Sequence, residues 1–463
     1  MNRRPRVLVL GGGAAGMLAA ASAAALGDVE TTVLERDELP AGPAPRPGVP
    51  QARHAHVVWS AGVRVMAELV TGLDHDLFAA GAHRMELMRD LVSMSPPGPW
   101  FARHHPSRHY ILACSRDLLD AELRRRVLAR PGVRLSRGTA LGLTGDADRV
   151  TGVRVRTGAA AEETIAADLV VDATGRGSRT PGRLSALGLP AVAETTVDSG
   201  VVYATRIFRA PATAASGFPV VNVQANPRRP PGQGGVLIPI EDGRWLVTLA
   251  GTRGGRPSGD PGEFTAFARR LRNPVIGDLI AAAEPLTDVA VSHSTANRRR
   301  FYERIRRWPD GFVVLGDAVA TFNPVYGHGL SVAARGALAM ARVLRRYDPR
   351  TRGTARRIQR AVAGPVGSAW NLATGQDAFY PGASARPPGL FDRGLARYLD
   401  RVVAVGAVDT RVMLPLLDVM TTERPPTRLL YPDVLLAAAV GPRRPGPAGP
   451  TLEPGEFTAA GAR

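Results

Sequence analysis

Short apolar runs, separated by glycine-rich turns and alanine-rich segments, set the pattern of this chain. Residues 7–10 are apolar throughout, and residues 14–26 follow with a strong helix-forming composition that ends at Gly27. Further apolar runs of strand length lie at residues 31–34, 168–173 and 312–315. Residues 330–344 again favour a helix. Apolar strands that alternate with helices are typical of a parallel sheet covered on both faces, so we predict an α/β fold.

The rest of the chain follows other patterns. Residues 132–167 alternate as short strands with glycine turns. Four apolar segments that suggest a largely antiparallel sheet lie at residues 200–209, 220–224, 235–240 and 243–251. From residue 347 the pattern favours helices in pieces, and residues 441–463 are rich in proline and glycine, which is typical of loose chain.

The first predicted strand runs directly into Gly11-x-Gly13-x-x-Gly16, a motif that also contains Ala15. Gly11 permits a tight turn, Gly13 lets the backbone approach a pyrophosphate, and Gly16 lets the helix pack closely against the strand. Glu35 ends the next predicted strand, where a carboxylate can accept both hydroxyls of an adenosine ribose. Strand, glycines, helix, strand and acid in this order favour a dinucleotide site over the alternative, a simple tight turn.

Two distant segments are predicted to belong to the same site. Residues 168–175 form a buried strand that runs into a glycine turn, and residues 312–317 form another that ends in Gly316-Asp317. Residues 323–329, with the sequence Asn-Pro-Val-Tyr-Gly-His-Gly, then lead into the predicted helix at residues 330–344. A glycine-rich turn before a helix N-terminus suits a phosphate or an electron-rich ring edge. Asp317 has a structural alternative as the N-cap of that helix.

The chain has 463 residues and a formal net charge of +18, which alone would suggest an acidic partner such as nucleic acid. All 59 basic residues are arginine, dispersed in short clusters such as residues 124–126 and 298–300. There is no long basic tail. We therefore expect a solvated basic surface and no nucleic-acid partner. A basic scaffold that keeps only the turn geometry is the alternative that is not an enzyme.

The sequence excludes several other kinds of site. Its one cysteine, Cys114, excludes an internal disulfide and a cysteine-built zinc site, and it favours a reducing, cytoplasmic location. No apolar stretch reaches the roughly 18 residues of a membrane-spanning helix, and we interpret the basic, alanine-rich start as strand and helix rather than an export signal. His104, His105 and His109 are expected in a solvated loop. Hydrolase, Walker and metalloprotease motifs are missing.

These motifs, with Arg36 after Glu35 and a segment around Arg116, resemble the FAD-dependent monooxygenases of the aromatic-hydroxylase type over roughly residues 5–345. The resemblance implies that Glu35 holds the adenosine ribose and that Arg116 lies near the ribityl and pyrophosphate groups. It also implies that Asp317 binds the ribityl or pyrophosphate end, and that the turn from Pro324 to Gly329 passes beside the isoalloxazine.

Three further segments narrow the resemblance to one group of flavin enzymes. Residues 46–56, 198–206 and 322–329 are similar to flavin epoxidases of bacterial polyether pathways, which are distant relatives of squalene epoxidase and oxidise alkenes in polyketide chains. This resemblance places Arg46 and Gln51 on a loop that covers the flavin. His54 and His56 either lie on the flavin side or pack as structural histidines, and His56 is the one candidate catalytic side chain. The predicted cofactor-binding residues are Gly11, Gly13, Ala15, Gly16, Glu35, Arg36, Arg46, Gln51, Arg116, Asp317, Pro324, Gly327 and Gly329.

The resemblance implies that reduced FAD reacts with dioxygen to give a C4a-hydroperoxide, which epoxidises an alkene of a lipophilic polyketide or terpenoid in antibiotic biosynthesis. Hydroxylation of an aromatic ring and flavin-dependent reduction of a polyprenyl chain are the alternatives. Thr174-Gly175 stands where aromatic hydroxylases usually carry Asp-Gly, an element that serves both flavin and nicotinamide binding. Electrons therefore come either from NAD(P)H directly or from a separate flavin reductase.

The predicted organisation is a Rossmann-like FAD-binding domain with an inserted, mainly antiparallel β-sheet domain and a C-terminal helical region. The FAD-binding domain takes residues 1–184 and 290–345, and the substrate-binding sheet takes residues 185–289. The helical region takes residues 346–440, and a flexible tail takes residues 441–463.

Overall fold

The computed structural model describes residues 3–158, 161–214, 217–384 and 386–461. In chain order, the strands are β1 (Arg6–Leu10), β2 (Glu30–Glu35), β3 (Val57–Trp59), β4 (His83–Glu86), β5 (Leu91–Met94), β6 (Tyr110–Ala113), β7 (Val133–Arg137), β8 (Thr139–Gly145), β9 (Val150–Thr157), β10 (Ala161–Ala166), β11 (Leu169–Asp172), β12 (Glu194–Val197), β13 (Val202–Arg209), β14 (Val220–Val223), β15 (Gly234–Ile240), β16 (Arg244–Gly251), β17 (Ala290–Ser292), β18 (Asn297–Arg300), β19 (Phe312–Val314) and β20 (Ala320–Thr321). The helices are α1 (Ala14–Ala24), α2 (Ser60–Leu69), α3 (Leu73–Ala79), α4 (Arg116–Leu128), α5 (Thr180–Ala186), α6 (Phe264–Arg269), α7 (Val275–Leu279), α8 (Gly329–Leu344), α9 (Thr354–Asp377), α10 (Leu390–Gly406), α11 (Thr410–Met420), α12 (Pro432–Val440) and α13 (Pro454–Ala459).

A parallel sheet of five strands, in the order β19-β11-β1-β2-β7, forms the core of the first domain. In β1, Leu10 lies opposite Asp172 of β11 and Leu34 of β2, so three strands end at the same edge of the sheet. The alanines of α1 are almost all buried because the helix packs on the sheet and also against α4 and α8. This arrangement confirms the predicted α/β fold class.

A second sheet of six strands has the order β17-β13-β16-β15-β14-β5, and most of its pairs are antiparallel, as expected. Its edge strand β5 pairs in parallel with β14, with Leu91 opposite Val220. The domain prediction had left β5 in the first part of the FAD-binding domain and β17 beyond the end of the inserted sheet. A short apolar run does not itself encode which distant edge it joins, so local pattern could not show this.

Three smaller sheets complete the strand pairing. β8, β9 and β10 form the antiparallel excursion predicted after β7. β3 and β4 both pair with β6, and β12 and β20 both pair with β18. The β12-β18-β20 sheet joins the inserted domain to the turns that follow β11 and β19.

The C-terminal helices cover both the first domain and the second sheet. α9 packs on α8, while α10, α11 and α12 share a buried cluster with one face of the six-stranded sheet, including Ile238 and Leu246. Among the described residues, no helix is both long and apolar enough to cross a membrane.

Part of the predicted flexible tail packs against the six-stranded sheet. Residues 454–459 form α13, and Leu452 and Ala460 are buried in the cluster on the other face of the six-stranded sheet. Arg103 also forms a salt bridge with Glu456 at 2.7 Å. Proline and glycine content favoured loose chain, but two apolar side chains here cover an apolar sheet face that needs them. Ala462 and Arg463 lie outside the described residues.

Candidate functional site

Three glycine-containing turns meet at one edge of the parallel sheet, where β1, β11 and β19 end. Gly11, Gly175 and Gly316 have φ angles of +100°, +77° and +63°, a left-handed backbone that favours glycine. A Cβ added to Gly316 would lie 2.7 Å from the Cβ of Ala15 at the start of α1. The structure therefore brings the first and third predicted segments into direct contact.

The turn from Gly11 to Gly16 combines two glycines that packing requires with one that borders open space. A Cβ at Gly16 would lie 1.8 Å from the carbonyl oxygen of Gly11, and one at Gly11 would lie 2.7 Å from that of Ala173. At Gly13 an added Cβ would meet no described atom within 4 Å. Since Gly13 is the N-cap of α1, this space adjoins free N–H groups and the positive end of the helix dipole, which suits a pyrophosphate.

Glu35 is buried, and its carboxylate is fully engaged by donors of the protein. Oε2 accepts hydrogen bonds from the amide of Gly12 at 2.7 Å and from Arg46 at 3.0 Å. Oε1 accepts from the amides of Arg36 at 2.8 Å and Asp37 at 3.1 Å. Four donors match the roughly four lone-pair positions of a carboxylate. The predicted role in holding the ribose requires the ribose to share or displace one of them. The Arg36 side chain is exposed.

Arg46 is buried beside Glu35, and its guanidinium also donates to the carbonyl of Gly12 at 3.1 Å. A buried guanidinium is stable beside a carboxylate, and Glu35 supplies one. The position of Arg46 on a loop that covers the flavin stays a prediction. The Nε of Arg46 has no partner among the described residues, which leaves one buried donor for a ligand. Gln51 is exposed in the short turn Pro50–Arg53.

Asp317 lies in the turn that follows β19 and is surrounded by arginine. Burial raises the pKa of its carboxyl above the ordinary value, while the guanidiniums of Arg116, Arg176 and Arg298 oppose that shift. Its carboxylate accepts no hydrogen bond from any residue within the described ranges. The N-cap of α8 is His328 and not Asp317, so the structural alternative for this residue is wrong.

Arg116 is the first residue of α4, behind the N-cap Ser115, whose Oγ accepts from the amide of Leu118 at 3.1 Å. Its Nε donates to Asp120 at 2.8 Å, and its terminal nitrogens form no hydrogen bond with the described part of the chain. The guanidinium therefore keeps donors free on the side of the site where Asp317 lies.

His54 and His56 make the structural contacts that one of the two interpretations expected. The Nδ1 atom of His56 donates to the carbonyl of His54 at 2.8 Å, and Nδ1 of His54 lies 2.8 Å from the hydroxyl of Thr205. Burial, with Arg116 nearby, lowers the pKa of His56 to about 4. A neutral His56 held on Nδ1 presents an Nε2 lone pair, and its role towards the flavin stays a prediction.

Residues 323–329 form a turn fixed from two sides. Gly327 has a φ of +63°, and a Cβ there would lie 2.6 Å from the side chain of Val57, so the turn packs directly against β3. Trp59 donates from its indole to the carbonyl of Tyr326 at 3.2 Å. Pro324 opens a short 3-10 turn, and Gly329 borders open space at the start of α8. The predicted ring-side turn is thus anchored against β3 at Gly327, and Gly329 faces open space.

Asp377, at the end of α9, organises a buried polar network that the sequence did not reveal. It is fully buried, and its Oδ2 accepts from Asn297 at 2.7 Å and from Asn323 at 2.9 Å. Its Oδ1 accepts from the hydroxyl of Tyr326 at 2.7 Å, and Tyr203 donates to Asn323 at 2.6 Å. One signal existed: Asp377 is the only acid of α9 and stands at its C-terminus, where the helix dipole disfavours negative charge.

Asp172 is the fully buried carboxylate at the end of β11. It accepts hydrogen bonds from both the amide and the hydroxyl of Thr174, at 2.9 and 2.6 Å, and from Ser178 at 2.7 Å. The threonine that replaces the usual aspartate before Gly175 therefore turns its hydroxyl inwards. Its side chain therefore stabilises the turn that follows β11.

His109 is fully buried, so the expectation that it lies in a solvated loop with His104 and His105 is wrong for this residue. Its Nε2 lies 3.0 Å from Asp418, and its Nδ1 lies 3.3 Å from Glu423. Each ring nitrogen of His109 thus faces one carboxylate of the protein. Arginines also pair with both carboxylates, so the cluster is an ionic contact between β6 and the end of α11.

The unsatisfied groups at this edge of the sheet fit a dinucleotide. The site offers open space before α1, free donors on Arg46 and Arg116, and an unpaired acceptor on Asp317. Phosphates need such donors, and sugar hydroxyls need such an acceptor. The fold and the site together define an FAD-binding α/β protein.

The chain belongs to the FAD binding domain family, which matches residues 4–356. It is 33% identical over 420 residues to Protein Rv3254 of Mycobacterium tuberculosis, covering 88% of this chain and 87% of that protein. The flavin-dependent brominase Bmp2 has a similar structure, with a TM-score of 0.64 and 16% identity over 94% of this chain and 97% of that one. PqsL of Pseudomonas aeruginosa, described as a probable FAD-dependent monooxygenase, has a TM-score of 0.58 and 18% identity over 81% and 94%. The family match supports FAD as the cofactor, and the two solved structures share the fold of this chain.

Proposed function

We propose that this flavoprotein is a monooxygenase that epoxidises an alkene of a lipophilic polyketide or terpenoid intermediate. Family membership supplies the cofactor. Residues 46–56, 198–206 and 322–329, which resemble flavin epoxidases of polyether pathways, supply the reaction. The brominase activity in the name of Bmp2 stays with that protein, because 16% identity carries the fold and not the chemistry.

The observation that carries the proposal is the neutral character of the side chains around the ring-side turn. Burial lowers the pKa of both His54 and His328 to about 4, so these rings are uncharged at pH 7. Burial and the nearby Asp377 raise the pKa of Tyr203 and of Tyr326 well above the ordinary value, so both phenols keep their protons. Transfer of an electrophilic oxygen to an alkene needs no protein base, whereas a phenolic substrate gains from one. Histidines with a pKa of about 4 are weak bases, so these side chains suit an alkene, which needs no base, and in this way support the proposal.

In the proposed reaction, the residues of the chain bind the cofactor, fix the turn beside it and exclude water. When bound and reduced, FAD supplies the electrons that activate dioxygen. The N–H groups at the start of α1 and the guanidinium of Arg116 would hold the phosphate and ribityl oxygens, and Asp317 would accept from ribityl hydroxyls. Trp59 and the Asp377 network hold the ring-side turn in place, and the buried surroundings exclude water. None of these roles asks a side chain to exchange a proton with the substrate.

Labelled dioxygen tests the proposal. FAD-loaded protein, a reductant and candidate polyenes should yield an epoxide that carries one labelled oxygen atom. A labelled phenol from an aromatic substrate, with no epoxide from any polyene, would show hydroxylation instead. An unlabelled, saturated product would show reduction of a polyprenyl chain, and either result would contradict the proposal. Comparing NADPH alone with NADPH plus a flavin reductase separates the two electron sources.

A further inference from the structure

Two neighbouring parts of the C-terminal helical region expose large apolar side chains. On α10, Leu390 is 87% exposed, Phe391 80% and Leu395 40%. On the segment that runs into α12, the exposed apolar side chains are Leu430, Tyr431, Leu435, Leu436 and Val440. Single exposed apolar residues are ordinary on a protein surface, but a set concentrated on adjoining elements marks an interaction site. We call these eight residues the apolar patch.

The two parts of the apolar patch belong to elements that lie side by side. The hydroxyl of Tyr398 on α10 donates to the carbonyl of Leu429, just before the exposed segment. Arg401, one turn further along α10, donates to the carbonyl of Ala438 on α12 at 3.0 Å. The exposed side chains therefore rise from one packed unit and not from separate corners of the molecule.

On α10 the apolar patch continues a stripe that is buried further along the same helix. At 100° per residue, Leu390, Phe391 and Leu395 lie on the same half of the helix surface as Val402 and Val405. Val402 and Val405 are buried in the cluster with α11 and α12, whereas the first two turns of α10 extend beyond that contact. The exposed stripe thus has the composition of a packed face, and nothing within the described ranges covers it.

Around the apolar patch, the carboxylates are engaged within the protein, whereas two arginines have no acidic partner among the described residues. The carboxylates of this region that form salt bridges within the protein are Asp400, Asp409, Asp418, Glu423 and Asp433. Asp392 accepts from the amide of Gly389 and caps α10. Arg393 and Arg397 are exposed along one edge of the stripe, and neither pairs with a carboxylate in the described part of the chain. The rim of the apolar patch therefore carries free positive charge.

We propose that the apolar patch docks on the surface of a lipid bilayer that contains anionic lipids. Its side chains would enter the boundary between headgroups and acyl chains, and Arg393 and Arg397 would meet lipid phosphates. A second copy of the chain fits less well, because it would bring the same arginines and the same charge of +18 against themselves. Docking does not depend on the proposed function, although a bilayer would also be the reservoir of a lipophilic substrate.

Flotation of the full, FAD-loaded chain with vesicles measures docking without any turnover. Vesicles of phosphatidylcholine with phosphatidylglycerol should bind the protein, and vesicles of phosphatidylcholine alone should bind it less. Phe391→Ser and Leu436→Ser should each lower the partition coefficient roughly tenfold or more. Arg393→Gln and Arg397→Gln should each lower it about fivefold on the anionic vesicles only. Leu135→Ser, at an exposed leucine on β7, is the matched control and should change nothing.

Urea unfolding and flavin absorbance must match those of the unmodified protein, so that lost binding reflects the surface and not misfolding. Failure to bind either kind of vesicle would overturn the proposal. Binding that survives all four substitutions, two in the apolar patch and two on its rim, would also overturn it, because lipid would then be held elsewhere. Light scattering measures the oligomeric state of the unmodified protein and of Phe391→Ser. If the unmodified protein is a dimer that does not bind vesicles, and Phe391→Ser is a monomer, the apolar patch is a contact between copies and the proposal is overturned.

Discussion

The two halves of the FAD site differ in how their charged groups are satisfied. In the first half, Glu35 and Arg46 bind each other and the neighbouring backbone. In the second half, Asp317 accepts no hydrogen bond from the described residues, and Arg116 keeps its terminal nitrogens free. A pair that the protein completes belongs to its own structure, whereas an unpaired charge is unfavourable until a ligand satisfies it. Removing the paired charges of the first half should therefore affect folding, and removing the unpaired charges of the second should affect cofactor binding.

The largest effect is expected from Gly16→Ala, which breaks the first half. The added Cβ would lie 1.8 Å from the carbonyl oxygen of Gly11, so the turn and α1 must separate. We expect a loss of about 4 kcal/mol or more in the free energy of unfolding, measured in urea without flavin. Gly13→Ala is the matched control, because its Cβ meets open space; it should fold normally and bind FAD more weakly. Unchanged stability of Gly16→Ala would refute the packing argument.

The network around Asp377 extends the comparison between the two halves. It lies in the second half, but other residues of the protein supply the hydrogen bonds to its carboxylate. Asp377→Leu should lower the free energy of unfolding by about 3–5 kcal/mol, since the donors of Asn297, Asn323 and Tyr326 would stay buried without an acceptor. Asp377→Asn keeps the shape and one acceptor and should lose much less. Equal losses in the two variants would show that the carboxylate oxygens are not what the network requires.

Because three histidines are buried, we expect the free energy of unfolding to depend on pH. The pKa values of His54, His56 and His328 are lowered to about 4 in the folded chain from about 6.5 when unfolded, so the unfolded state binds more protons between these values. Stability should be complete above about pH 6.5 and fall towards pH 4, by roughly 3 kcal/mol for each histidine. Urea unfolding of His328→Gln should show a shallower decline than the unmodified chain. An identical decline would place the protons elsewhere.

Sequence reasoning succeeded where the chemistry is local. The turn from Gly11 to Gly16 needs only a strand, three glycines and a helix in order, and the structure has them where the pattern placed them. The pairing of Arg46 with Glu35 was missed because the residues come from different segments and meet only in the folded chain. Asp377 meets Asn323 and Ser199 across 54 and 178 residues, a separation that no local pattern records.

The same reason explains the errors in the fold. The apolar run of β5 was visible, but its pairing with β14 depends on an edge built from residues far along the chain. Composition favoured a loose tail, yet Leu452 and Ala460 find an apolar sheet face to cover. His109 lies in a segment rich in arginine, histidine and proline, and only the folded chain brings Asp418 and Glu423 to its ring.

The central claim is that the second half of the site keeps its charges for FAD, and flavin titration of Asp317→Ala tests it most directly. We expect affinity for FAD to fall by about 1.5–3 kcal/mol, roughly ten- to a hundredfold, while the flavin-free protein unfolds at the same urea concentration or a higher one. Arg116→Ala should behave alike in the titration, and Arg46→Met should instead lower the stability of the flavin-free protein. Unchanged affinity in Asp317→Ala would contradict the account and leave the glycine turn as the one supported cofactor contact.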